Sequence, residues 1–375
     1  MGIVSEKDFI ERVKKFSEIS YKAGEREKPE LLDSHDDRYL KSGDFKANLH
    51  IHTQYSDGIM TVPELIKRTS EIPNMLTAIT DHDTVEGAKE LYNLAPKNAD
   101  ICAGIEISTI ATKFPKQPKP LPIHVLVYGI DPFDKKLNEF LDYKRDAKLK
   151  LAQETIDELN NTLPEYDFSL EEAAKCHPMI LKGQDEIAHP LKKYTSAKII
   201  LNYYFPNADF SYEEPIFKFK HLFKGTEPYH ITYKIALQMF TNCTLPLVPD
   251  FINEKVKEAR EIYLGAHPKV GEDRDEFCMF EETVDFVSKL DSGVMSIAHP
   301  TRTRAYTPEF YNYLFYNYKK YGKEKAMFYE KYYQSYEDRY YIEWSPVVNN
   351  AAEGLLPTGG YDSHGDNITS RSSHY

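Results

Sequence analysis

Cysteine is scarce in this chain. Cys102, Cys176, Cys243 and Cys278 are the only four in 375 residues, and no two form a C-x-x-C pair. That spacing argues against a thiolate zinc knot or a disulfide scaffold and fits a reducing compartment. There is also no apolar run approaching the roughly 20 residues that a membrane-spanning helix needs. The start, Met1-Gly2-Ile3-Val4-Ser5-Glu6, lacks the apolar core of a secretory leader. A cytoplasmic protein with no membrane partner is therefore expected. Basic residues are outnumbered, 47 Lys and Arg against 59 Asp and Glu, for a formal net charge of −12. Long duplex nucleic acid, which is held by basic stripes, is thus an unfavourable partner. A local pocket for a small phosphorylated ligand stays compatible. What the chain does have is core material: 41% of it is hydrophobic, including 28 Tyr and 20 Phe. Its length suits one large domain with an insertion, or two domains.

Apolar spacing at Phe9, Ile10, Val13, Phe16 and Ile19 predicts a helix from Glu6 to about Ala23. From Phe45 the texture becomes that of an α/β protein. Strands are expected at 45–52, 75–80, 101–107 and 123–129. Thr61-Val62-Pro63-Glu64 carries the N-cap, capping box and early proline of a helix start, and 86–94 reads as helical. After Asp131-Pro132 comes a long charged helix over about 137–160. A Tyr-, Phe- and Pro-containing stretch without strand–helix rhythm follows it. The rhythm returns with a helix near 283–290, a strand at 294–300, a Tyr-rich helix from Pro308 to about Tyr336, and a strand at 340–344. The predicted organisation is a 1–44 helical extension, a metal-binding barrel from 45–130 and 285–375, and a 131–284 helical insertion serving as a substrate cap. Alternating strands and helices of this kind predict a parallel α/β sheet or barrel.

His and acidic residues recur at the ends of these apolar strands: His50 and His52, Asp81-His82-Asp83, Glu106, His124, His299, and Asp362 with His364. Asp57 follows the first strand. Such strand ends are where functional side chains converge in parallel α/β folds. Two His two apart on a strand share a face and can grip one ion, and a carboxylate such as Glu106 can bridge two. Imidazole and carboxylate together suit Mn²⁺, Zn²⁺ or Fe²⁺. Two or three such ions would suit phosphoryl transfer by lowering the pKa of a bridging water towards about 7. His177, His189, His221, His230 and His267 read as ordinary core or surface histidines. Asp83 reads either as orienting a ligand or as a helix N-cap. Arg302 and Arg304, just after His299-Pro300, could clamp phosphate or lie on the surface. Arg145, Lys148 and Lys150 read as a solvated helix face.

These motifs resemble the PHP (polymerase and histidinol phosphatase) superfamily. The likeness rests on Asn48-Leu49-His50-Ile51-His52-Thr53, Ser56-Asp57-Gly58, Thr80-Asp81-His82-Asp83-Thr84, Gly104-Ile105-Glu106, Ile123-His124-Val125, Ala298-His299-Pro300 and Asp362-Ser363-His364-Gly365, in the family's order. The resemblance implies a distorted (β/α)7 barrel holding up to three ions. His50, His52, Glu106 and Asp362 would hold one, Glu106, His124 and His299 a second, and Asp57, His82 and His364 a third. His82, Arg302 and Asp83 are the candidate catalytic groups. The wording around Thr80–Gly87 is most similar to a subgroup that hydrolyses nucleoside 3′,5′-bisphosphates and trims RNA from its 5′ end. The expected function is therefore a metal-dependent phosphoesterase using a metal-bridged hydroxide on a small phosphorylated substrate or short RNA. The alternatives are a histidinol-phosphate-type phosphatase, a hydrolase of amides or other esters, and a non-catalytic metal-stabilised interaction module. One departure is Tyr361, where the family commonly has Ser before the Asp.

Overall fold

The computed structural model describes residues 3–24, 41–42, 45–96, 99–111, 121–176, 279–303, 307–333, 339–365 and 368, with short stretches between 191 and 262. By internal contacts the chain forms two units, one of Met1–Asp142 with Gly271–His374 and one containing Tyr143–Val270.

The first unit is built on a mixed sheet. In spatial and chain order its main strands are β1 (Phe45–Ile51), β2 (Met75–Ile79), β3 (Ile101–Ala111), β4 (Leu121–Tyr128), β5 (Val294–Ile297), β6 (Ala326–Tyr333) and β7 (Leu356–Gly360). A two-residue strand, Lys41–Ser42, lies antiparallel on β1. Beyond β7 the chain bridges back to β1. Ser363 pairs with Ile51, His52 N donates to Ser363 O at 2.9 Å, and Ser363 N donates to His50 O at 3.0 Å. The sheet thus curls into the distorted (β/α)7 barrel that was expected. The all-parallel reading needs correcting, because β4 runs antiparallel to both β3 and β5. Only residues 112–120 separate β3 from β4, which is too short for the dozen or more residues of a parallel crossover.

The main helices are α1 (Glu6–Gly24), α2 (Val62–Glu71), α3 (Glu86–Leu94), α4 (Lys135–Thr162), α5 (Leu170–Cys176), α6 (Phe280–Ser288), α7 (Pro308–Gly322) and α8 (Arg339–Ala351); α5 belongs to the second unit and α4 runs across the boundary. The α2 start is as its sequence dictates: Glu64 N donates to the Thr61 hydroxyl, and Thr61 N donates to Glu64 Oε2 at 2.9 Å. Val62 and Leu65 of α2, Leu91 of α3, Val284 of α6 and Leu314 of α7 pack with Ile79, Ile105, Val125 and Ile297 of the strands. A second cluster joins Val4, Phe9 and Val13 to Leu76, Cys102, Leu126, Tyr128 and Phe328. The Phe9 and Tyr128 rings lie 4.6 Å apart, tilted by 30°. The N-terminal helix therefore plugs one end of the barrel, tied by Val4 N to Ile101 O and by Gly293 N to the Glu6 carboxylate.

Two predicted elements are corrected. Residues 340–344 are helical, within α8, and the Tyr-rich helix stops at Gly322, with 326–333 forming β6. Aromatic-rich segments serve in either element, so packing decides between them. In the second unit, Lys198 Nζ donates to Asp167 O at 2.6 Å and to Glu172, which also accepts from the Tyr194 hydroxyl. Phe217–Phe219 pairs with Tyr229–Ile231 there. Among the described residues, no helix is long and apolar enough to cross a membrane.

Candidate metal centre

The site is organised around one carboxylate. Glu106, on β3, is fully buried and faces five imidazoles. Its Oε2 lies 2.9 Å from His50 Nε2, 3.2 Å from His52 Nε2 and 3.3 Å from His82 Nδ1. Its Oε1 lies 2.8 Å from His124 Nδ1 and 3.4 Å from His299 Nε2. Asp362 Oδ1 approaches the same pair as Oε2, at 3.5 Å from His50 Nε2 and 3.3 Å from His52 Nε2. Asp57 and His364 complete a partly exposed rim, with Asp57 Oδ2 2.8 Å from His364 Nε2 and 3.8 Å from His82 Nε2. Three overlapping groups bring one donor atom per residue within 4.8 Å of one another: His50, His52, Glu106 and Asp362; His52, Asp57, His82 and His364; and His82, Glu106 and His124.

Each side chain is placed by local structure. The register between β1 and β2 shifts between Asn48 and Ile51. Asn48 supports this irregularity: its Oδ1 accepts from His50 N at 3.2 Å and Tyr361 N at 2.9 Å, and its Nδ2 donates to Ser363 Oγ and Ile368 O. Asp81 braces the loop that carries Asp57, accepting from Thr53 N, the Thr53 hydroxyl and the Ser56 hydroxyl. In that loop Gly58 passes so close to β1 that a Cβ would sit 2.2 Å from His52 O. His124 reaches the centre from the first half of β4 because that strand is reversed. Asp83, His299 and Asp362 all have positive φ, at 48°, 23° and 51°, the strained backbone that gathers at functional sites.

The family model for the PHP domain matches residues 48–139. That stretch of the chain is similar to a PHP domain. Within and around it, this chain is 30% identical to a 3′,5′-nucleoside bisphosphate phosphatase of Chromobacterium violaceum over 108 residues, 28% of this chain and 35% of that protein. It is 30% identical to the 5′-3′ exoribonuclease Rnm of Salmonella typhimurium over 116 residues, 29% of this chain and 37% of that protein. The match thus spans about a third of these curated relatives' length. A solved structure of an amidohydrolase from Chromobacterium violaceum, with bound sulfate and no metal, shares the fold. Its TM-score is 0.50 at 18% identity, covering 87% of this chain and 90% of that one.

The donor set of the centre fits a bound cation. Among the described residues, His52 Nε2 and His82 Nδ1 are buried without a well-formed hydrogen bond, although both point at Glu106 Oε2. Burial alone would push the His50 and His52 imidazoles down, but the surrounding carboxylates outweigh it. They hold His50 well above its ordinary 6.5 and raise His52 to about 10. Burial likewise opposes the charge on Glu106, yet the imidazoles hold it well below the usual carboxylate range. The centre therefore calls for positive charge, which protons or metal ions can supply at the same lone pairs. Neutral nitrogen and carboxylate oxygen without thiolate match the borderline-to-hard divalent ions.

Of the other candidates, Asp83 accepts from Ser108 N at 3.1 Å, while Val85 holds the N-cap position of α3. The Arg302 side chain, Arg304, His177, His189, His221 and His267 lie outside the described residues. Two acidic residues at the centre were given no role by sequence. Asp81 was only one of three adjacent polar residues. Glu330 was hidden in a stretch read as helix, and it is fully buried beside His50. Its signal was an acid inside the aromatic run Phe328-Tyr329-Glu330-Lys331-Tyr332.

Proposed function

We propose that this chain is a metal-dependent phosphoesterase that hydrolyses a phosphomonoester or short nucleotide, either a nucleoside 3′,5′-bisphosphate or an RNA 5′ end. The observation that carries this reading is Glu106, one buried carboxylate shared by donor groups that overlap through His52 and His82. Two or three divalent ions, Mn²⁺, Zn²⁺ or Fe²⁺, would be held by His50, His52, Asp57, His82, Glu106, His124, His299, Asp362 and His364. Bound there, such ions supply charge against the phosphate oxygens and acidify a water ligand. The protein's own part is placement. Glu106 fixes the spacing of the imidazoles, Asp81 sets the Asp57 loop, and Asp83 fastens that region to β3 through Ser108 N. His82 is buried save for about a tenth of its side chain, 11%, and is the imidazole proposed to meet the substrate phosphate, with Arg302 as the candidate cationic partner. The 131–284 insertion is proposed as the substrate cap. The curated relatives support both substrate types, one being a bisphosphate phosphatase and the other an exoribonuclease.

The test is a panel of phosphomonoesters, nucleoside 3′,5′-bisphosphates, 5′-phosphorylated RNA oligomers and amides, run with Mn²⁺, Zn²⁺ and Fe²⁺ on wild-type protein and His52→Ala. Metal-dependent phosphate or nucleotide release that His52→Ala abolishes is expected. A folded, metal-loaded wild type that hydrolyses none of the phosphoesters would defeat the proposal.

A further inference from the structure

Glu330 lies on β6 with 1% exposure and belongs to none of the three donor groups. It nevertheless touches two of the residues proposed to hold metal. Its Oε1 and Oε2 lie 3.2 and 3.3 Å from His50 Nδ1, and Oε2 accepts from His299 N at 2.8 Å. One carboxylate thus grips His50 by its ring and His299 by its backbone, where φ is 23°.

The tautomer follows from this contact. A carboxylate can only accept at Nδ1, so that nitrogen carries the hydrogen. With Nδ1 committed to Glu330, Nε2 is the His50 atom that can serve a cation, and it faces Glu106 Oε2 at 2.9 Å and Asp362 Oδ1 at 3.5 Å. A metal ion taking the place of the Nε2 proton there would complete a carboxylate–histidine–metal relay. An independent feature lies on the neighbouring strand. A Cβ on Gly360 of β7 would sit 2.3 Å from His50 Cβ and 2.8 Å from Glu330 Oε1. The His50–Glu330 pair can form only because that position has no side chain.

We propose that Glu330 is a positioning residue that fixes His50 as an Nε2 metal ligand and pins the turn carrying His299. It thereby sets the affinity of the ion held by His50, His52, Glu106 and Asp362. This rests on the metal-centre reading above. It goes beyond that reading by assigning the strength of one ion site to a residue that is not itself a ligand.

The test is a Co²⁺ titration of full-length wild type, Glu330→Gln and Glu330→Ala. It would be followed by d–d absorption, with circular dichroism and metal-free thermal melts alongside. The expected result is that both variants keep the wild-type fold while one class of bound cobalt weakens about 10- to 100-fold. The rim ion near Asp57 and His364 should bind as in wild type, and Gln should fall between Glu and Ala. Variants that bind all their cobalt with wild-type affinity would overturn the role of Glu330 and leave the metal centre standing. A wild type that binds no cobalt would overturn the metal centre itself, and this proposal with it. Loss of fold in both variants would overturn the positioning role in favour of a structural one.

Discussion

The two ends of the barrel are made by the same strands and have opposite chemistry. On β3, Cys102 sits at the plugged end and Glu106 at the metal centre. On β4 the pair is Tyr128 and His124, and on β6 it is Phe328 and Glu330. The members of each pair are an even number of residues apart, so the pleat turns them to one face. At one end that face meets Phe9 and Val13 of α1 and is apolar. At the other it crowds buried carboxylates and imidazoles, an arrangement that costs stability unless the charges are matched. The comparison teaches a division of labour: the apolar end holds the strands in register, and the polar end can then keep a charged cluster whose proposed purpose is binding ions.

The largest effect should come from the centre of the polar end. Glu106→Gln keeps the shape of the hub and removes its charge. With the protein loaded with Mn²⁺, phosphoester hydrolysis should drop by about 10²–10³-fold or more, the scale on which removal of a charge-stabilising group acts. Steady-state rates checked beside circular dichroism would show this, and a variant retaining wild-type rates would break the contrast. At the plugged end, Phe9→Ala should do the reverse. Truncating a fully buried Phe should cost roughly 3–5 kcal/mol in urea unfolding and leave metal affinity unchanged. Equal damage to metal binding would show that the ends are not separable.

The plugged end should also show in the pH dependence of stability. Burial pushes the Cys102 thiol from an ordinary 9.0 up to about 12. The folded state therefore keeps a proton that the unfolded state gives up. Below pH 9 the thiol costs nothing, and between 9 and 12 it makes stability fall as pH rises. Cys102→Ala should flatten that decline in urea unfolding, and an unchanged slope would contradict the burial argument. The smallest effect belongs to neither end: Thr61→Ala removes the α2 cap and should cost about 1 kcal/mol, with thermal melts as the check and metal binding unaltered.

How much of this was legible in the sequence depends on whether the cause was local. The His50-Ile51-His52 pair, the Thr61 capping box and the α1 helix follow from period and residue type within a few positions; the structure sets the two imidazoles 5.0 Å apart, forms the capping box, and buries Phe9 and Val13 of the α1 stripe. The reversal of β4 is not written in Ile123-His124-Val125, which would read alike in either direction. It was legible only in the shortness of 112–120. β6 and α8 were misassigned because Tyr, Phe, Ile and Trp suit both a strand and a buried helix face, and Pro346 lies inside α8. Glu330 was lost with β6, since its significance arises only when the barrel sets it against His50. The bracing by Asp81 was hidden because its partners, Thr53 and Ser56, stand 28 and 25 positions away.

The central claim is that Glu106 is the hub of a metal centre, and the most direct measurement is metal content. Wild-type protein and Glu106→Gln would be stripped with chelator, reloaded with Mn²⁺, desalted and analysed for manganese per folded chain. The account predicts at least two ions retained by wild type and a clear loss in the variant. A wild type that retains none, or a variant that retains as many as wild type, would contradict it.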